Sequence, residues 1–135
     1  MDYKNIKFRA WHKEQKKMFE VLVLDMNSGE VFLDGFTVET QYKGETQQEP
    51  MWISVDEVEL MMYIGQQDKN GKDIYEGDIV STTILEDYTI YTQICEIDTY
   101  IATSIDTESY GGPDMSVVYT DIEIIGNKYE NPELV

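Results

Sequence analysis

At 135 residues and 15.7 kDa the chain fits one domain or a small domain with an appended lobe, and its 41% hydrophobic content excludes wholesale disorder. A formal net charge of −17 disfavours general nucleic-acid binding, which depends on Lys and Arg neutralising phosphates. The single cysteine, Cys95, excludes an intrachain disulfide and a cysteine-rich zinc site.

Ten tyrosines and many Ile, Val and Thr residues favour strands, and with only Ala10 and Ala102 present the best helix former is scarce. The expected class is mainly β, or β-rich α+β. Ile6, Phe8 and Ala10 alternate with Lys7 and Arg9, the period of a half-buried strand. His12 to Lys17 is polar and suits a turn, and Met18 to Leu24 reads as a second strand, so the chain opens on a β-hairpin with a basic loop. Asn27-Ser28-Gly29 ends that element, Val31 to Leu33 begins another apolar run, and Asp34-Gly35 supplies a turn before Phe36 to Tyr42. Lys43 to Pro50 is polar, with a glycine and a proline, and reads as a loop or a seam between two lobes.

Ser54-Val55-Asp56-Glu57 has the form of a capping box opening a short helix, on which Val58, Met61 and Met62 would share one packed face. Asn70-Gly71 is the strongest short-range turn dipeptide, and a second turn follows at Glu76-Gly77 after Ile74 and Tyr75. Ile79 to Leu85 is strand-like. Tyr88 to Ala102 alternates long enough for one extended strand, or two joined at Asp98-Thr99. Gly111-Gly112-Pro113 marks a loop, and Val117 to Ile125 is the last strand, ended by Gly126-Asn127.

Charge is unevenly spread. Residues 1–20 hold six of the ten basic side chains against three acids, so that end carries +3 and the other 115 residues −20. From Asp73 onward the only cation is Lys128, against fourteen acids. Solubility is the plain account of such acidity; the sharper one is a face for a basic partner. The N-terminus lacks the apolar core of a signal peptide, and no apolar run approaches the ~18 residues of a membrane span, so a cytoplasmic protein with no membrane contact is expected.

Three blocks, IKFRAWHKEQKKM at Ile6 to Met18, LMMYIGQQDKNGKDIYEGDIV at Leu60 to Val80, and DIEIIGNKYENPEL at Asp121 to Leu134, together resemble the YopX family of small proteins encoded mostly by bacteriophages and prophages. The blocks stand in the family's order and cover roughly a third of the chain. The position after the first tryptophan, usually acidic, is His12 here. The resemblance implies a β-rich fold with an SH3-like small barrel in its C-terminal part, no established enzymatic activity and no cofactor. On this basis residues 1–59 are expected to form an N-terminal β-rich lobe with a β-hairpin, and residues 60–135 the barrel region. Gly77 permits the tight entry into that barrel, and Asp78 can hydrogen-bond its turn amides.

Asp68, Asn70 and Asp73 around Gly71 suggest calcium at first sight. The EF-hand loop, however, needs glycine at its sixth position, and Gly71 would stand fourth. A turn built on Asn70 and Gly71 accounts for them. His12, the only histidine, reads as a solvated turn residue, and Cys95 as a buried reduced thiol. Trp52, Tyr63 and Tyr75 read as core. The best candidate binding surface is the stripe Lys7, Arg9, Trp11, Lys13, Lys16 and Lys17, where cations and an aromatic ring could hold an acidic face or a single strand. Expected, then, is a non-enzymatic phage or prophage accessory protein that binds a host or phage protein of basic charge through its acidic body, with self-association as a further expectation. A nucleic-acid mimic is one specific form. The alternative is a small-barrel nucleic-acid-binding module or nuclease using the basic hairpin.

Overall fold

Alternating apolar residues and two-residue turns leave this chain little choice but antiparallel strands, and the computed structural model, described over residues 2–86, 89–98 and 117–134, is mainly β. The chain divides into two compact units, residues 8–60 and residues 1–7 with 61–135.

In the 8–60 unit, β1 (Phe8–His12) pairs antiparallel with β2 (Lys17–Asp25), with Ala10 opposite Phe19 and His12 opposite Lys17. β2 pairs with β3 (Glu30–Leu33) through a turn that the Asp25 carboxylate closes by accepting the amides of Asn27 and Ser28 at 2.9 and 3.3 Å. β3 in turn pairs with the short β6 (Ile53–Ser54). Alternation sends Ala10, Val31, Leu33, Phe36, Ile53 and Val58 into one core, with Phe19, Val21 and Leu24 packed around it. The segment read as a polar loop is instead strand: β4 (Thr37–Tyr42) and β5 (Glu45–Pro50) form a two-stranded sheet. Its two-residue turn has positive φ at both Lys43 (49°) and Gly44 (79°), the geometry that matches strand twist. Every residue of β5 is exposed, so neither face carries the alternating apolar signal by which strands are recognised.

The capping box is present at Ser54, but it opens only a single 3-10 turn, Val55–Glu57. The Asp56 amide donates to Ser54 Oγ and the Ser54 amide to Glu57 Oε2, both at 3.2 Å. A helix across Val58, Met61 and Met62 does not form, because Val58–Gln67 is a strand, β7. Its period of two buries Met61 and Tyr63 and leaves Met62 exposed.

In the other unit, the distal part of β7 pairs with β8 (Asp73–Tyr75), Tyr63 lying opposite Tyr75. β9 (Asp78–Glu86) is the centre of a three-stranded antiparallel sheet, flanked by β10 (Thr89–Glu96) and β11 (Val117–Asn127). Ile74, Val80 and Ile97 are fully buried there, with Ile64, Cys95, Ile122 and Ile124 against them. The described strands form open sheets and not a closed barrel. Residues 99–102 of the long strand expected from Tyr88, Tyr88 itself, and the Gly111-Gly112-Pro113 loop lie outside the described residues.

The last block has a physical basis in a glycine. A Cβ at Gly126 would stand 2.5 Å from Asn131 Oδ1, which accepts the Asn127 amide at 3.2 Å. Asn127 Oδ1 accepts the amides of Tyr129 and Glu130, and its Nδ2 donates to Glu130 Oε1 at 2.8 Å. The GNKYEN run is thus one hydrogen-bonded turn ending the sheet.

Candidate functional site

The basic stripe is split and largely engaged within the chain. Lys7 belongs to the unit containing β8, where its ammonium is 2.7 Å from Asp73 and 4.7 Å from the Tyr63 ring centroid. The hydrogen bond to Asp73 raises the Lys7 pKa, and the same bond holds the Asp73 carboxyl below its usual range. Tyr63 and Tyr75 are buried, as core residues. Arg9 and Trp11 share one face of β1, opposite the face that buries Ala10 and His12, and Lys13 stands in the turn just after the strand. Arg9 and Trp11 are half-buried. Lys13 Nζ donates to the Asp56 carbonyl at 3.1 Å and pairs with Glu59 at 3.5 Å. Lys16, at φ 55°, and Lys17 are exposed.

Asn70 and Gly71 sit in the turn before β8, with Gly71 at φ 83°. The Asp68 carboxylate, buried, accepts the amides of Asn70, Lys72 and Ile124 at 2.9, 3.0 and 3.0 Å. Burial pushes this carboxyl up, but the three amides outweigh it and hold it below the usual carboxylate range. Gly77, at φ 84°, passes with 3.3 Å between Met61 Sδ and the place of a Cβ. Asp78 is buried, and its Oδ2 accepts the Tyr75 amide at 2.8 Å. Cys95 is a free, half-buried thiol whose pKa is pushed up by burial and then by Asp98.

His12 is not a solvated turn residue. It ends β1, is only 4% exposed, and stacks on Phe36 with ring centroids 4.9 Å apart. Its Nδ1 accepts the Gln15 amide at 3.0 Å, so the neutral ring is assigned its proton on Nε2, which has no hydrogen-bond partner among the described residues. Alternation explains the burial, since His12 lies two residues beyond Ala10 on the core face.

His12 lines a cleft of about 460 Å³ within the 8–60 unit. Phe36 forms its apolar floor with Ile53, and the start of β4 and Gln48 of β5 give one wall. Thr37 Oγ1 donates to Gln48 Oε1 at 3.1 Å across that hairpin. Met51 and Trp52 stand at the cleft 48% and 42% exposed, so Trp52 is a surface aromatic and not the core residue expected. Its ring tilts against Phe32 at 5.6 Å. Among the described residues, Glu14, Glu39 and Glu57 supply the charges of the lining. Glu57 is engaged in the capping box, whereas Glu14 and Glu39 are exposed and make no ion pair among the described residues. Sequence reasoning missed this site because its residues come from separated segments; the signals were a histidine on the buried phase of β1 and Met51-Trp52 beside a proline.

A family model described as YopX protein matches residues 7–135. The crystal structure of protein EF1440 from Enterococcus faecalis is similar in fold, with a TM-score of 0.53 and 24% sequence identity over 96% of each chain. No curated protein matches in sequence. Among the described residues, no helix is long and apolar enough to cross a membrane.

Proposed function

The chain belongs to the YopX family, and on that premise we propose that it is a non-enzymatic phage or prophage accessory protein acting in the cytoplasm by binding a basic protein. The observation that carries this reading is where the cations go. In a chain of net charge −17, Lys7 is bound to Asp73 and Lys13 to Glu59 and the Asp56 carbonyl, so two cations of the stripe are answered within the chain while Lys16 and Lys17 stay exposed. The large excess of charge left for a partner is carboxylate, which steers and selects a positively charged surface. The stacked, buried His12 and the raised pKa of Cys95 further support a binding role over nucleophilic catalysis.

The test is capture from nuclease-treated host lysate on the immobilised full chain, at low and at high salt, read by mass spectrometry. A basic protein retained at low salt and released at high salt is the expected result. Retention of nucleic acid by chains whose lysate was left untreated, lost when Lys16 and Lys17 are neutralised, would overturn the reading in favour of a nucleic-acid-binding module. Competition by duplex DNA for the captured protein would identify the nucleic-acid-mimic form.

A further inference from the structure

The cleft of the 8–60 unit has two chemistries that no internal contact uses. Glu14 and Glu39 place unpaired carboxylates at it, with no Lys or Arg in the lining to answer them. His12, 96% buried by its 4% exposure, has committed Nδ1 to the Gln15 amide and retains one N–H donor without an acceptor among the described residues. The ring is buried but Nε2 itself is not sealed in the interior, so an acceptor delivered from outside through the cleft can reach it. Trp52 adds an exposed aromatic face, onto which a guanidinium or ammonium packs well. A simple cation would satisfy the carboxylates and leave His12 Nε2–H unanswered. A nucleic acid would offer acceptors to His12 and bring phosphates against Glu14 and Glu39. An arginine- or lysine-bearing peptide segment answers all three, with its backbone carbonyl as the acceptor and its side chain as the cation. The cleft volume of about 460 Å³ is in the range of ordinary ligand sites.

We propose that this cleft docks a basic segment of a protein partner, His12 Nε2–H donating to a backbone carbonyl while Glu14 and Glu39 receive an Arg or Lys side chain beside Trp52. The assignment rests on the reading of the chain as a binder of basic protein and gives that reading a place. β4 and β5 supply one wall of the docking site through Thr37, Val38, Glu39 and Gln48. Specificity for arginine-rich over merely cationic surfaces follows from the planar fork of the guanidinium, which can meet a carboxylate and stack on an indole together.

The experiment is an NMR titration of the isotope-labelled full chain with a short capped peptide of alternating arginine and alanine, beside the same peptide with neutral citrulline for arginine. Expected are shifts concentrated at residues 12–15, 36–39 and 51–53 for the arginine peptide, and affinity at least about tenfold lower for the citrulline peptide. Glu14→Gln with Glu39→Gln, both surface positions that leave the core untouched, should weaken the arginine peptide about tenfold. Glu96→Gln with Glu133→Gln, an equal loss of charge in the other unit, should weaken it less than about twofold. His12→Asn keeps an acceptor near the place of Nδ1 and deletes the Nε2 donor; it should weaken both peptides by a similar factor while the unfolding midpoint of the chain is followed in parallel.

Shifts scattered over the surface, equal effects from both pairs of Glu substitutions, or no binding at millimolar peptide would each overturn the cleft assignment. Concentration-dependent sedimentation abolished by the Glu14 and Glu39 substitutions would also overturn it, by making a second copy of the chain the occupant. A basic host protein captured equally by the wild-type and the Glu14→Gln, Glu39→Gln chains would refute the cleft and leave the general reading standing. Failure to capture any basic protein, with tight peptide docking in the cleft, would do the reverse.

Discussion

Single residues in this chain explain why its most distinctive sequence blocks read as they do. Gly126 is a glycine because the Asn131 side chain occupies the space of a Cβ, not because of an unusual φ. Gly126→Ala should therefore lower stability by about 1–3 kcal/mol, measurable by denaturant unfolding, and Asn131→Ala should recover part of the loss in the double variant. Asp68 is the counterpart in the middle block. Its three amide bonds hold its folded pKa below the unfolded value, so the stability it contributes is complete above the unfolded pKa, about 4. That stability is lost as pH falls through the folded value. The thermal midpoint should be level above about pH 5 and decline below it, and Asp68→Asn should flatten that decline while lowering the plateau. Legibility at this scale was mixed. Asn70-Gly71 and Gly77-Asp78 are visible in sequence because turn chemistry is local, whereas the third amide on Asp68 comes from Ile124, 56 positions away. His12 was misread because a lone polar residue next to lysines looks solvated until the strand phase is extended past Ala10.

Among elements, those with a buried face were legible and those without were not. The opening hairpin, β3, β9 and β11 show the alternation that a half-buried strand requires. β5 hid as a loop since its sequence, ETQQEP, has no apolar residue facing anything. β7 was mistaken in part for a helix because a capping box does stand before it; the box is spent on one 3-10 turn before the chain extends. Ser54→Ala should accordingly cost about 1 kcal/mol, as a lost cap does, in equilibrium unfolding. β4–β5 should be the least protected strand pair of its unit in hydrogen exchange, because a two-stranded sheet with an exposed strand is marginal alone.

For the whole molecule, mainly-β class was readable from composition, and family membership from three blocks near β1, around the turns into β9, and at the end of β11. Closure into a barrel was an inference from resemblance, and the described sheets stay open because β10 and β11 each flank β9 on opposite sides without pairing to one another. A net charge of −17 opposes compactness by self-repulsion, so raising salt from roughly 10 to 300 mM should increase the thermal midpoint, contrary to what loss of the Lys7–Asp73 pair alone would give. Differential scanning at fixed pH checks this. The bond from Ile124 to Asp68 also imposes an order on biosynthesis. All strands that pair within the 8–60 unit have been made by residue 60, but the turn at Asp68 must wait for an amide 56 residues further on. At roughly 5–20 residues per second that is about 3–11 seconds of translation. For that interval a nascent chain has every residue of the 8–60 unit, while the central strand β9 of the other unit still lacks its β11 flank, the period in which a chaperone would find it.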